Sequence, residues 1–146
     1  MKFDFKELFD KNEILSTYNI YKACMYVPTE EKFEKKIDDF LQGGNAKMFA
    51  CLYGQEIKGV VLISFLESGV VQINGIAVDL PMRRMGLGSY MIKSIMRIFE
   101  PSSIIAETDK DAVSFYKKCG FSIDEFVEKY GGEMVVRYTC ELRNDK

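Results

Sequence analysis

Between residues 47 and 99 the apolar residues change period once, and that change limits the folds open to the chain. Segments 47–53, 57–66 and 70–78 are rich in Val, Ile, Phe and Tyr at strand spacing, and the turn-like Gly54-Gln55 and Glu67-Ser68-Gly69 separate them. Links this short join antiparallel neighbours, so the three segments read as a meander. From Leu87 the spacing becomes helical. Leu87, Met91, Ile95 and Ile98 or Phe99 fall on one stripe, Ser89, Lys93 and Arg97 on a polar face, and Pro101 ends the helix. An all-helical bundle is excluded.

The flanks extend this pattern. Upstream, Pro28 and Thr29 open a helix over 29–41 whose apolar face is Phe33, Ile37, Phe40 and Leu41, and Gly43-Gly44 stops it. The stretch 7–26 reads as a helix interrupted near Asn12. Downstream come a strand at 103–107, a short helix at 111–119 closed by Gly120, and strands at 121–127 and 133–142 around Gly131-Gly132. With no repeat or linker-like tract, the expectation is one α/β (α+β) domain over 1–146, a mixed sheet with helices on its faces.

Composition narrows the function. The 146 residues, 47% of them apolar, are enough for a real core without a metal or disulfide staple. Cys24, Cys51, Cys119 and Cys140 are scattered with no CxxC pair and read as reduced core residues of an intracellular protein; with no histidine, no metal site is expected. The formal charge of -2 argues against nucleic acid as a partner. Neither a signal peptide nor a membrane-spanning segment is apparent, so a cytoplasmic location is expected.

The stretch AVDLPMRRMGLGSYMIKSIM, residues 77–96, sets Arg83, Arg84, Gly86 and Gly88 between strand and helix. One glycine suffices for a turn; a second suggests a backbone kept bare for close approach. Unpaired N–H groups at a helix start and the helix dipole favour an anion there, and the arginines add fixed charge, so a diphosphate is the natural occupant. The spacing fits neither a P-loop nor a dinucleotide fingerprint. A plain strand-to-helix turn beside surface arginines is the alternative reading. In segment 72–78, strand alternation puts Gln72, Asn74, Ile76 and Val78 on one face, and Gly75 marks a bulge or a close approach.

Arg83-x-x-Gly86-x-Gly88, after a strand and opening a helix, resembles the signature of the GNAT superfamily of CoA-dependent N-acetyltransferases. A second segment, ETDKDAVSFYKKCGF, is similar to the family's later strand-then-helix stretch, with Ala112, Tyr116, Gly120 and Phe121 in the matching places. The resemblance implies a mostly antiparallel sheet of six to seven strands in which one parallel pair splays apart to bind acyl-CoA. It further implies that Ile76, Ala77 and Val78 line the pantetheine and that Arg83, Arg84, Met85, Gly86, Leu87, Gly88 and Ser89 hold the pyrophosphate. Asp109 stands where many members carry a pantetheine-binding asparagine. It has no amide donor to offer.

The implied reaction is direct attack of an amine on the thioester of acetyl-CoA, with no metal. Tyr116 would meet the departing thiolate, since a phenol of pKa about 10 stays protonated at neutral pH. The resemblance makes the Val78 amide the candidate for the developing oxyanion. Gln72 falls in the slot where several members have a basic glutamate and cannot serve as one; Glu67, Asp79, Glu107 and Asp109 remain open as bases or as ordinary solvated or capping carboxylates. Tyr18, Tyr21 and Tyr26 either edge an acceptor pocket or simply pack. Lys117 and Lys118 either meet the CoA ribose phosphate or sit in water. The acceptor class is a small-molecule or peptide amine, and the chain is a monomer or a homodimer. A catalytically silent acyl-CoA sensor and a ligand-free interaction domain are the rival expectations.

Overall fold

In the computed structural model, which describes residues 2–145, the chain opens with a strand, β1 (Phe3–Leu8), whose last two residues fall in the stretch expected to be helical. The residues of β1 alternate between half-buried and exposed, and Phe5 stacks on Phe49 at 4.8 Å between ring centroids. Two short helices follow, α1 (Lys11–Leu15) and α2 (Tyr18–Tyr21). Asp10 caps the first, accepting from the Glu13 amide at 3.2 Å. The expected helix is therefore correct in type only beyond Asp10.

Helix α3 (Glu30–Gly43) starts where expected, with Thr29 Oγ1 accepting from the Lys32 amide at 3.1 Å, and Gly44 closes it at φ 74°. Strands β2 (Ala46–Tyr53), β3 (Glu56–Phe65) and β4 (Val70–Val78) form the antiparallel meander. After helix α4 (Leu87–Phe99) come β5 (Ser103–Thr108), helix α5 (Val113–Lys118), β6 (Ser122–Tyr130) and β7 (Glu133–Arg143). The described residues form one seven-stranded sheet in the order β1-β2-β3-β4-β5-β7-β6. Only the β4–β5 pair is parallel; the other pairs are antiparallel.

Helices cover both faces of the central strands, which explains the unbroken apolar run Val60 to Ile63 in β3. Val61 and Ile63 join the core under α4 and α5, with Leu87, Met91 and Ile95. Val60 and Leu62 point the other way, to Ile14, Phe33 and Ile37. Each such side chain is worth about 1.5–3 kcal/mol on burial, so the two faces together hold the sheet as a three-layer sandwich. At the end of α4, Phe99 is the packed residue, edge-on to Phe49 and Phe65, whereas Ile98 lies exposed.

Candidate active site

The site begins with a pairing that stops. β4 and β5 are bridged from Val70↔Ser103 to Ile73↔Ala106 and no further, although β4 runs on to Val78 and β5 stays with β7 to its end. The strands diverge beyond Ile73, opening a gap in the middle of the sheet.

A bulge sets the orientation of the gap's wall. Leu62 pairs with Gly75 and Ile63 with Ile73, so Asn74 is the extra residue of β4, and its side chain donates to Ser64 Oγ at 2.6 Å. The bulge resets the alternation. Val71 and Ile73 belong to the α4–α5 face, as do Ile76 and Val78; Ala77 belongs to the opposite face. The expectation that Gln72, Asn74, Ile76 and Val78 share a face therefore fails: Gln72 lies on the α1–α3 face. The Asp79 amide donates to Lys58 O at 2.7 Å across the β3 side, so by alternation the amides of Val78 and Ile76 point to the gap.

The glycine turn lies just beyond. Gly86 sits at φ 84° as N-cap of α4 with no side-chain cap, and Arg84 is left-handed as well, at φ 69°. The first helical bond of α4 is Tyr90 N–H to Gly86 O, 2.9 Å, so the amides of Leu87, Gly88 and Ser89 have no helical partner. A Cβ on Gly86 would meet nothing within 4 Å. Arg83 and Arg84 are exposed, Met85 half so, and Arg83 Nε donates to Val78 O at 3.4 Å, tying the turn to the strand end.

Gly88 has a different reason to be glycine. A Cβ there would stand 2.6 Å from Cε1 of Phe115, so the missing side chain admits the α5 ring against α4. The bare backbone at Gly88 is covered by protein; the bare backbone at Gly86 is open.

On the α4–α5 face, Tyr116 is 5% exposed and held edge-on between Phe115 and Phe121 at 5.1 and 5.2 Å. Burial raises its phenol above the ordinary range, and the nearby thiols of Cys140, Cys24 and Cys119 add to the shift. Tyr116 stays protonated at any neutral pH.

Of the other candidates, Asp109 turns back on its own chain, accepting through Oδ1 from the amides of Asp111 at 3.0 Å and Ala112 at 3.2 Å. Asp79 pairs with Lys58 at 3.6 Å. Glu67, Lys117 and Lys118 are exposed and away from any paired contact that would fix them. Glu107 is exposed and is the first β5 residue past the last bridged pair; because Ile104 and Ala106 face α4 and α5, it shares the face of Gln72.

Cys24 was not among the sequence's site candidates, and Tyr21, offered as either an acceptor-pocket edge or a packing residue, lies beside it. Tyr21, of α2, presses its ring end into the space a Cβ on Gly75 would need. Cys24 donates its thiol to Tyr21 O at 3.1 Å, and the Ile76 amide faces its sulfur. Although the residue as a whole is exposed, the sulfur is turned toward the protein, and its desolvation raises the thiol pKa to about 11. Tyr21 lies on the α1–α3 face of the sheet and Tyr116 on the α4–α5 face. Cys24 is exposed, which corrects the expectation of four core cysteines; Cys51 and Cys140 are buried and Cys119 half-buried. The sequence hints were Tyr21, one of three tyrosines read as pocket edge or packing, and Gly75, a glycine inside a strand.

Residues 14–121 match the model of the acetyltransferase (GNAT) family. The chain belongs to the GNAT family. Solved structures with this fold include a Bacillus subtilis acetyltransferase in complex with CoA, at TM-score 0.71 and 18% identity over 97% of this chain and 99% of that one. A GNAT family acetyltransferase from Elizabethkingia anophelis with acetyl-CoA bound aligns at TM-score 0.70, 16% identical over 97% of each chain. A spermidine N-acetyltransferase chimera from Vibrio cholerae and hSSAT aligns at TM-score 0.77, 14% identical over 99% of this chain and 96% of that one. No curated protein matches the sequence significantly. Among the described residues no group of His, Cys, Asp or Glu could hold a metal ion, and no helix is long and apolar enough to cross a membrane.

Proposed function

We propose that this GNAT protein moves the acetyl group of acetyl-CoA to a primary amine. The observation that carries the reading is the gap between β4 and β5 leading to an uncapped helix start: amides of Ile76 and Val78 along one edge, then those of Leu87, Gly88 and Ser89 beside Arg83 and Arg84. The residues present fit the coenzyme, because the space over Gly86 is empty of protein and the guanidinium groups of Arg83 and Arg84 are exposed, Arg83 being held to Val78 O only through Nε.

Bound there, acetyl-CoA supplies the acetyl group as a thioester. The C–N bond forms as the C–S bond breaks, one proton leaves the amine, and one reaches the CoA sulfur. The protonated phenol of Tyr116 supplies the second, while the strand amides hold the carbonyl end. Glu107, on the face of Gln72, is the carboxylate suited to take the first, through water. Pantetheine contact by Asp109 would have to use the carboxylate oxygen not engaged by the Asp111 and Ala112 amides. An amine acceptor agrees with the fold's sharing by a spermidine N-acetyltransferase.

The test is Tyr116→Phe, assayed by thiol release on an amine panel with acetyl-CoA affinity measured alongside. Turnover should fall by about 10- to 100-fold while the acetyl-CoA dissociation constant moves less than about threefold, since a proton donor to the leaving group acts chiefly in the transition state. Unaltered turnover would overturn the role of Tyr116. Wild-type protein that binds acetyl-CoA and acetylates no amine would favour the silent sensor instead.

A further inference from the structure

The divergence of β4 from β5 leaves a polar side chain on each side of its fork. The last bridged pair is Ile73↔Ala106, so in the same register Asn74 and Glu107 would stand opposite one another; they are the first residues of each strand past the split. Both use the α1–α3 face. Glu107 does so by strand alternation from Ala106. Asn74 does so through its bond: Nδ2 donates to Ser64 Oγ at 2.6 Å, and Ser64 pairs with Gln72 on that face, two residues beyond Leu62 of the same core. The core under α1–α3 takes no described residue of β5, β6 or β7, and Glu107 is exposed there.

The bond to Ser64 fixes how the Asn74 amide is used. Ser64 is buried, at 6% exposure, and Nδ2 is committed to it. The other end of the amide, Oδ1, makes no hydrogen bond among the described residues and is not sealed from solvent, Asn74 being only half-buried. An amide oxygen accepts and never donates, and the same holds for the ionised carboxylate of Glu107. Two acceptors at one fork suit a group that carries several N–H bonds. We propose that Asn74 Oδ1 accepts an N–H of the acceptor amine at the fork, opposite Glu107, with Ser64 as the positioning residue that holds the amide. The inference rests on the acetyl-transfer reading above. Once an ammonium has given one proton to water held by Glu107, two N–H bonds and the lone pair remain. Asn74 takes one N–H as a hydrogen bond without taking its proton, which turns the lone pair to the thioester carbon. A hydroxyl has a single hydrogen and can serve only one of the two acceptors, so the pair selects a primary amine over an alcohol.

The test compares Asn74→Ala with Asn74→Asp, which keeps an acceptor oxygen in place, on the best amine of the panel. In Asn74→Ala the KM for the amine should rise about tenfold, the worth of one hydrogen bond, while the acetyl-CoA dissociation constant moves less than about twofold. Asn74→Asp should bring the amine KM back to within about threefold of wild type. A bond that only held the bulge would behave otherwise: both variants lose the Nδ2 donor, so both would suffer alike, and acetyl-CoA affinity would fall with the displaced wall of the gap. Ser64→Ala frees the amide to turn and should raise the amine KM about threefold, with no further effect in the Asn74→Ala background. An amine KM unmoved in Asn74→Ala, or raised equally in both Asn74 variants together with weaker acetyl-CoA binding, would overturn the inference and leave acetyl transfer standing. If Asn74→Ala does not fold, the Ser64→Ala value decides alone, and an unmoved KM there overturns the inference. Wild-type protein that acetylates no amine would overturn both readings.

Discussion

Gly88 and Phe115 occupy each other's space: a Cβ on the helix residue would lie 2.6 Å from the ring of Phe115. One of the two glycines of the turn into α4 is thus accounted for by an internal contact between α4 and α5. Phe115 also packs edge-on against Tyr116 at 5.1 Å, so the contact connects the turn to the site.

Two opposed effects decide what Gly88→Ala does. Alanine gains up to about 1 kcal/mol of helix propensity. Displacing the ring costs about 1–3 kcal/mol. The net expectation is a loss of about 1 kcal/mol in denaturant unfolding, and a reversal of sign when the same substitution is made in a Phe115→Ala background, where the clash is gone. A stabilising Gly88→Ala in the wild-type background would show that the ring yields freely.

Gly86→Ala meets no atom but inherits φ 84°, a conformation that costs about 1–2 kcal/mol for a residue with a Cβ. Gly86→Asn should recover part of that loss, since asparagine tolerates the left-handed region. Chemical denaturation of the pair measures the difference.

Glu107 yields a pH-dependent outcome. A lysine-like amine of pKa about 10.4 is neutral in only about one molecule in two thousand at pH 7, and a base there relieves the shortage. Glu107→Gln should lower turnover by at least about tenfold at pH 7, and by much less near pH 9, where the amine supplies more of its own neutral form. A deficit equal at both pH values would remove Glu107 from proton transfer.

Cys24 reports on the gap. Its thiol, with a pKa raised to about 11, is thiolate in only about one molecule in ten thousand at pH 7, against a few per cent for an unperturbed cysteine. Alkylation by iodoacetamide, followed by peptide mass spectrometry, should be slow at pH 7 and should rise about tenfold per pH unit through pH 10. Acetyl-CoA should slow it further, because the sulfur faces the Ile76 amide. Fast labelling at pH 7 that the coenzyme leaves unchanged would separate Cys24 from the site.

Much of this molecule was legible as sequence because its signals are local. The period change at Leu87, the Thr29 cap and the turn at Gly54-Gln55 each act within a few residues, so the meander, α3 and α4 appear where their patterns begin. Arg83, Gly86 and Gly88 and the segment around Tyr116 likewise carried the family in short strings. Phe3 to Lys6 of β1 went unassigned and Glu7-Leu8 was misread as helix because Phe3 and Phe5 alternate too briefly before Asp10 starts a helix, and only pairing with β2 decides for strand.

What tertiary structure alone decided is which face each site residue uses. One inserted residue at Asn74 moved Gln72 away from Ile76 and Val78, and no periodicity announces a bulge, because the register is set by the partner strand. The meetings of Gly75 with Tyr21 and of Gly88 with Phe115 join residues far apart in the chain, and packing against shared neighbours, not local preference, fixes them. Sequence determined the elements and the glycine turn before α4; three-dimensional packing determined which face of the sheet each side chain uses, because register is set by the partner strand.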